Sequence, residues 1–100
     1  MLGPGKVDLL KAVGVAGSIS SAARSLGMSY KRAWLLIDTL NQGFGRRVLV
    51  ATHGGKGGGG TELTPLGKKL IERYESIERA CTTATKVDVQ AITHLLNAKK

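Results

Sequence analysis

Only one cysteine, two prolines and four aromatic side chains occur in the 100 residues, and acids are scarce, seven against fifteen lysines and arginines. A lone Cys81 excludes an intramolecular disulfide. With His53 and His94 as its only company it makes no zinc-ligand spacing, so no metal site and no cofactor are expected, and Cys81 itself is expected to be a small buried apolar thiol. The longest stretch without a charge, Ala12 to Ala23, falls well short of the roughly 20 apolar residues of a membrane span. Lys6, Asp8 and Lys11 interrupt what would have to be the apolar segment of a signal peptide, and a cytoplasmic protein is expected. The shortage of acids leaves a formal charge of +8 and a pI near 10.1. That imbalance suits a protein that meets a polyanion, whereas an enzyme of a neutral small molecule has no use for it.

What is present is enough for one core. Leu, Ile, Val and Phe make up 26 of the residues, above the roughly 20% below which highly charged chains stay unfolded, and the length is that of a single domain. The charge is concentrated. Residues 18–60 hold Arg24, Lys31, Arg32, Arg46, Arg47 and Lys56 against Asp38 alone, while residues 61–100 mix bases and acids. The middle of the chain is therefore the candidate working surface.

Apolar spacing predicts three helices in the first 45 residues. Val7, Leu10, Ala12 and Val13 recur near a period of 3.6, giving a helix over about 5–16 that Gly17 stops. Ser18 or Ser20 caps a short second helix over about 19–26, ended by Gly27. Ser29 caps a third over about 30–44, with Ala33, Leu36, Ile37, Leu40 and Phe44 on its apolar face. Setting Gly27 at the turn places Ala22, Leu26, Met28, Ala33 and Leu36 inward. The texture then changes to Val48-Leu-Val50, a glycine-rich tract and Thr61-Glu-Leu-Thr64, which predicts a hairpin over about 47–64. Thr64-Pro65 starts a long helix carrying Leu66, Leu70, Tyr74, Ile77, Cys81 and Ala84 at steps of four or three. Thr82, Thr83 and Thr85 weaken the pattern. A break at 85–88 is expected, with Asp88 capping a last helix that bears Val89, Ile92 and Leu95.

Helix, helix-turn-helix, hairpin, helix is the order of a winged helix-turn-helix domain, mainly α with a small β-hairpin. Residues 1–64 form the core unit and residues 65–100 the long C-terminal helix with a terminal helical segment. Ser29, Tyr30, Lys31, Arg32 and Trp34 crowd the first turns of the third helix, where a groove-inserted helix meets bases and phosphates. Trp34 also suits a partly buried packing role. Lys56 lies in the glycine tract, but the Ser or Thr that follows the lysine in a nucleotide-binding loop is replaced by Gly57. A wing whose bare backbone lies close to a phosphate fits better. No catalytic set emerges: Glu72, Glu75 and Glu78 lie within a turn or two of Lys68, Lys69, Arg73 and Arg79 and read as surface pairs, and His53 and His94 read as exposed.

Gly17-Ser-Ile-Ser20, Ala22-Ala23, Gly27-Met-Ser-Tyr30, Ala33-Trp34, Gly54-Gly-Lys-Gly-Gly-Gly-Gly60 and Leu63-Thr-Pro-Leu-Gly67 resemble the N-terminal winged helix of the molybdate-responsive ModE regulators. The closing Leu-Thr-x-x-Gly is similar to that of LysR-type regulators. The resemblance covers about residues 3–80. It implies a dimeric, sequence-specific transcriptional regulator that binds double-stranded DNA through Ser29, Tyr30, Lys31, Arg32, Trp34 and Lys56. Full-length members carry molybdate on separate C-terminal β domains, and with no strand-rich half before Lys100 a stand-alone form is expected, with no small-molecule effector on this chain. Arg46 and Arg47 join the DNA-contacting set on charge. Leu70, Tyr74, Ile77, Cys81 and Ala84 form a seam that one winged helix of this size cannot cover, which predicts a homodimer. A DNA-binding subunit with its sensor on another chain, a protein-interaction module and an RNA-binding domain remain alternatives on fold alone.

Overall fold

The computed structural model describes residues 4–52 and 60–98. The element order is α1 (Pro4–Ala16), α2 (Ile19–Ser25), α3 (Tyr30–Phe44), β1 (Leu49–Thr52), β2 (Gly60–Leu63) and α4 (Pro65–Ala98). The strands pair antiparallel in the register Leu49 with Leu63 through Thr52 with Gly60. This is the winged helix-turn-helix that the order of apolar segments predicts.

The core sits around α1, which touches α2, α3, β2 and α4. Val7, Leu9, Leu10 and Val13 are buried there, facing Ile19, Ala22 and Ala23 of α2, Ala33, Ile37 and Leu40 of α3, and Val48 and Leu49 at the start of the hairpin. A helix surrounded on several sides buries a wide arc. Leu9 is thus as deep as Leu10, although the spacing considered above leaves it out. Small residues at Ala22, Ala23 and Ala33 let α2 and α3 cross closely. The Ser18 hydroxyl accepts from Ser21 N–H at 3.0 Å and the Ser29 hydroxyl from Arg32 N–H at 3.1 Å, so each serine satisfies one free donor of the helix it precedes. Of the two candidate caps for α2, the structure selects Ser18. Gly27 joins the helices at φ +69°, a conformation costly for any residue with a Cβ. Leu26, expected inward, is 40% exposed. It follows the last turn of a seven-residue helix, and its N–H turns back onto the Ala22 and Ala23 carbonyls. Met28, beyond the turn, packs against the core.

The hairpin is fastened at both ends. Val48 N–H donates to Asn41 Oδ1 at 2.9 Å, tying β1 to the last turns of α3, and Thr61 N–H donates to the Gly17 carbonyl at 2.8 Å. Thr64 joins hairpin to α4. Its N–H donates to the Val48 carbonyl at 3.0 Å, its hydroxyl donates to the Arg47 carbonyl at 2.8 Å, and the same hydroxyl accepts from Gly67 N–H at 3.1 Å as the N-cap. Gly67 is buried against the Val48 carbonyl, where a Cβ would collide with backbone. The Leu-Thr-x-x-Gly segment is thus one joint, whose threonine caps and whose glycine permits contact.

The expected break at 85–88 does not occur: α4 runs unbroken from Pro65 to Ala98. Thr85 donates its hydroxyl to the Cys81 carbonyl at 2.7 Å and Thr93 to the Val89 carbonyl at 3.0 Å. These threonines satisfy themselves within the helix, and their weak propensity is too small a penalty to interrupt it. The helix does not fold back on the domain either, since every residue from Ser76 to Ala98 is exposed.

Candidate nucleic-acid interface

Steps of 100° along α3 sort its side chains into faces. Ala33, Ile37 and Leu40 are buried against α1 and α2. On the opposite side, Lys31, Leu35, Asp38 and Gln42 fall on one strip at steps of four, three and four, and all four are exposed. Tyr30, Trp34 and Asn41 lie on the flank toward the hairpin, Arg32 and Thr39 on the flank away from it. The five residues predicted at this end therefore do not share one direction. Lys31 points out along the strip. Tyr30 and Trp34 meet edge to face with ring centroids 6.4 Å apart, and Arg32 stands on the far side. Trp34 is 45% exposed, half packing residue and half surface.

Between α3 and β1 lies a groove of about 380 Å³ lined by Trp34, Asp38, Asn41, Arg47, Val50 and Thr61 among others. Arg46 and Arg47 are both exposed at its head, where the chain passes from α3 into β1. Among the described residues, the outward strip, the groove lining and the two arginines include one acid, Asp38. Lys56 and His53 lie outside the described residues, as does the glycine tract between Thr52 and Gly60.

The seam on α4 divides in two. Leu66, Leu70 and Ile71 pack against the core of their own chain and Tyr74 is half-buried. Leu70 is thus partly covered. Beyond it Ile77 is 58% exposed, and Cys81 and Ala84 are exposed as well, followed by Val87, Val89, Ile92, Leu95 and Leu96. Cys81 is therefore not the buried thiol expected from its residue type, because α4 has left the body before reaching it. Glu75, expected to pair along its own helix, reaches across to α1, where Lys11 Nζ stands 3.0 Å from its carboxylate. That hydrogen bond is the main reason the Lys11 pKa is raised above its ordinary value. His94 is exposed. Among the described residues no three His, Cys, Asp or Glu side chains gather as metal ligands, and no helix is long and apolar enough to cross a membrane.

Three residues of this surface escape a reading by residue type alone. Asn41 looks like any polar helix residue, and nothing before the fold marks it as the anchor of the wing. Leu35 and Asp38 were legible in principle, since counting 100° steps from the buried Ala33 puts both on the outward strip.

Residues 5–68 match the family described as bacterial regulatory helix-turn-helix protein, lysR family. Among curated proteins, the molybdenum-pterin-binding protein MopB of Rhodobacter capsulatus is 49% identical over 77 residues, 77% of this chain and 28% of that protein. The DNA-binding transcriptional dual regulator ModE of Escherichia coli (strain K12) is 43% identical over 72 residues, 72% of this chain and 28% of that one. The aligned part thus spans little more than a quarter of these relatives. Among solved structures, the DNA-binding domain in the CbnR_DBD–DNA complex superposes with a TM-score of 0.70 over 90% of this chain and 98% of its own, at 22% identity. Full-length CbnR, a LysR family transcriptional regulator, does so with a TM-score of 0.66 over 87% of this chain and 28% of its own. Those likenesses bear on the fold.

Proposed function

The chain belongs to the lysR family of bacterial regulatory helix-turn-helix proteins, and from that membership we propose that it is a sequence-specific, DNA-binding transcriptional regulator whose α3 enters the major groove. The observation that carries this is the exposed strip of α3 beside a cationic hairpin entrance, in a segment that holds six bases and one acid. Ser29, Lys31 and Arg32 are assigned to phosphates and base edges at the entry of α3, with Tyr30 and Trp34 as a braced aromatic pair facing the hairpin. Arg46, Arg47 and Lys56 are assigned to the adjoining backbone. No catalytic step and no small-molecule effector are assigned to these residues, and the place of action is the cytoplasm.

We also propose that two copies pair through α4. The bare apolar positions from Ile77 onward support it, because an apolar stripe of that length is stabilised by a matching surface, and the least demanding match is the same surface on a second copy. Ile77, Cys81 and Ala84 form its near end. Leu70 packs in part against the chain's own core, and Tyr74 is half-buried at the boundary. Pairing gives two α3 helices for two half-sites, hence a roughly palindromic site.

The test is a salt titration of binding to duplex DNA. The logarithm of the affinity should fall against log salt with a slope of about −0.9 for each phosphate neutralised. Arg46→Ala should lower that slope and weaken all sequences alike, while Lys31→Ala should also alter base preference. Binding that ignores salt overturns the proposal.

A further inference from the structure

Asp38 stands in the wrong place for a residue of no consequence. It is the one acid among residues 18–60, and it projects from the middle of the outward strip of α3, one turn beyond Leu35 and two beyond Lys31. Aspartate is a poor helix former in an interior turn, and a carboxylate facing a polyanion opposes binding. No cation relieves it: Arg47 lines the same groove, yet among the described residues Asp38 has no ion-pair partner. The carboxylate is held all the same, because Gln42 Nε2 donates to its Oδ2 at 2.9 Å. One oxygen is thereby held, and on this exposed side chain no hydrogen bond to the other is found among the described residues.

On the reading that α3 lies in the major groove, we propose that Asp38 is a base-reading residue that selects a cytosine, and that Gln42 positions it. The groove floor offers an outward carboxylate only one kind of donor, the exocyclic amino groups of cytosine N4 and adenine N6. The two differ in their neighbours. Adenine N6 lies between two acceptors, its own N7 and thymine O4, whereas cytosine N4 has an acceptor, guanine O6, on one side only. A carboxylate is repelled by acceptors, so cytosine is the favoured partner. Guanine presents two acceptors, and thymine an acceptor and a methyl group, so neither base offers the carboxylate a donor, which makes Asp38 a discriminator as well as a contact. Leu35, 58% exposed on the same strip, supplies an apolar neighbour with nothing to gain from phosphate or water.

Site selection from random duplex DNA with the wild type, Asp38→Asn and Gln42→Ala tests this. The wild type should enrich cytosine at one position in each half-site. Asp38→Asn should reduce that preference by about ten-fold, the scale of one good base contact, while binding unrelated sequences more tightly, since a negative charge has gone. Gln42→Ala should blunt the same column by a smaller factor, with little change in affinity for unrelated DNA, a pattern that mere loss of helix stability does not produce. Both residues are exposed, so folding is checked by equal circular dichroism. If Asp38→Asn tightens every sequence by the same factor and keeps the cytosine column, the charge is only a brake and the proposal falls. An adenine column lost in Asp38→Asn overturns the choice of cytosine. A wild type that binds and enriches no duplex overturns the DNA-binding reading itself, a distinct result.

Discussion

The first three turns of α4 and the remaining six are one helix in two environments. From Pro65 to Tyr74 it is packed, with Gly67 buried on the Val48 carbonyl and Leu66, Leu70 and Ile71 against the core. From Ser76 to Ala98 every side chain is exposed. The apolar steps of four and three that begin at Leu66 carry across that boundary as far as Ala84. Periodicity marks which face is apolar, and says nothing about what covers it. The packed part draws stability from tertiary burial, whereas the projecting part has only intrinsic propensity and threonine hydroxyls turned onto their own backbone until something docks on it.

The sharpest way to break this contrast is one substitution made in both environments. Leu10→Ala, in the fully buried part of α1, should cost about 2–5 kcal/mol in urea denaturation. Leu95→Ala, in the exposed part of α4, should change the stability of the monomer by less than about 0.5 kcal/mol. Equal losses would mean that the projecting turns are buried within the monomer.

A smaller effect on folding and a larger one on assembly is expected at Ile77, just past the boundary. Ile77→Asp should leave a folded monomer with weakened operator binding, read by sedimentation equilibrium. A wild type that sediments at 10.5 kDa up to high micromolar concentration would leave the projecting face without its proposed partner.

The smallest effect belongs to the boundary itself, where Lys11 of α1 meets Glu75. The Lys11 pKa lies above its ordinary 10.5, chiefly through that hydrogen bond. A raised lysine pKa stabilises the fold below the unfolded value, and the contribution disappears as pH climbs through the raised one. Lys11→Met should therefore lower Tm slightly at neutral pH. The difference should vanish in strongly alkaline buffer and shrink at about 1 M salt, where the Debye length is about 3 Å. A difference that survives both would mean that the Lys11–Glu75 ion pair is not its source.

The elements of the body were legible because each carries a local signal that the fold obeys: Ser18 and Ser29 cap, Gly27 turns, Thr64-Pro65 starts. Long-range facts were not. Asn41 on Val48 N–H and the Gly17 carbonyl on Thr61 N–H join segments that no local pattern relates. The continuity of α4 escapes a reading by propensity, because the penalty of a few β-branched residues is small and a hydroxyl such as that of Thr85 finds its acceptor within the helix. Cys81 is exposed where its residue type predicts burial, because such an average does not know where a helix leaves its domain. The cationic character of residues 18–60 is plain from composition alone. Which of those residues share a direction became plain only once the buried face of α3 was set by Ala33, Ile37 and Leu40.

An unbroken α4 behaves as a ruler. Each helical residue adds about 1.5 Å and about 100°, so an insertion anywhere between Ser76 and the distal leucines moves and turns all that follows relative to α3. One added residue would swing the distal face through more than a quarter of a circle, while seven would return it to within about 20° and lengthen the rod by about 10 Å. If two copies pair through α4 as proposed, the phase of this rod, as much as the residues on its surface, would set where the second α3 falls on the double helix.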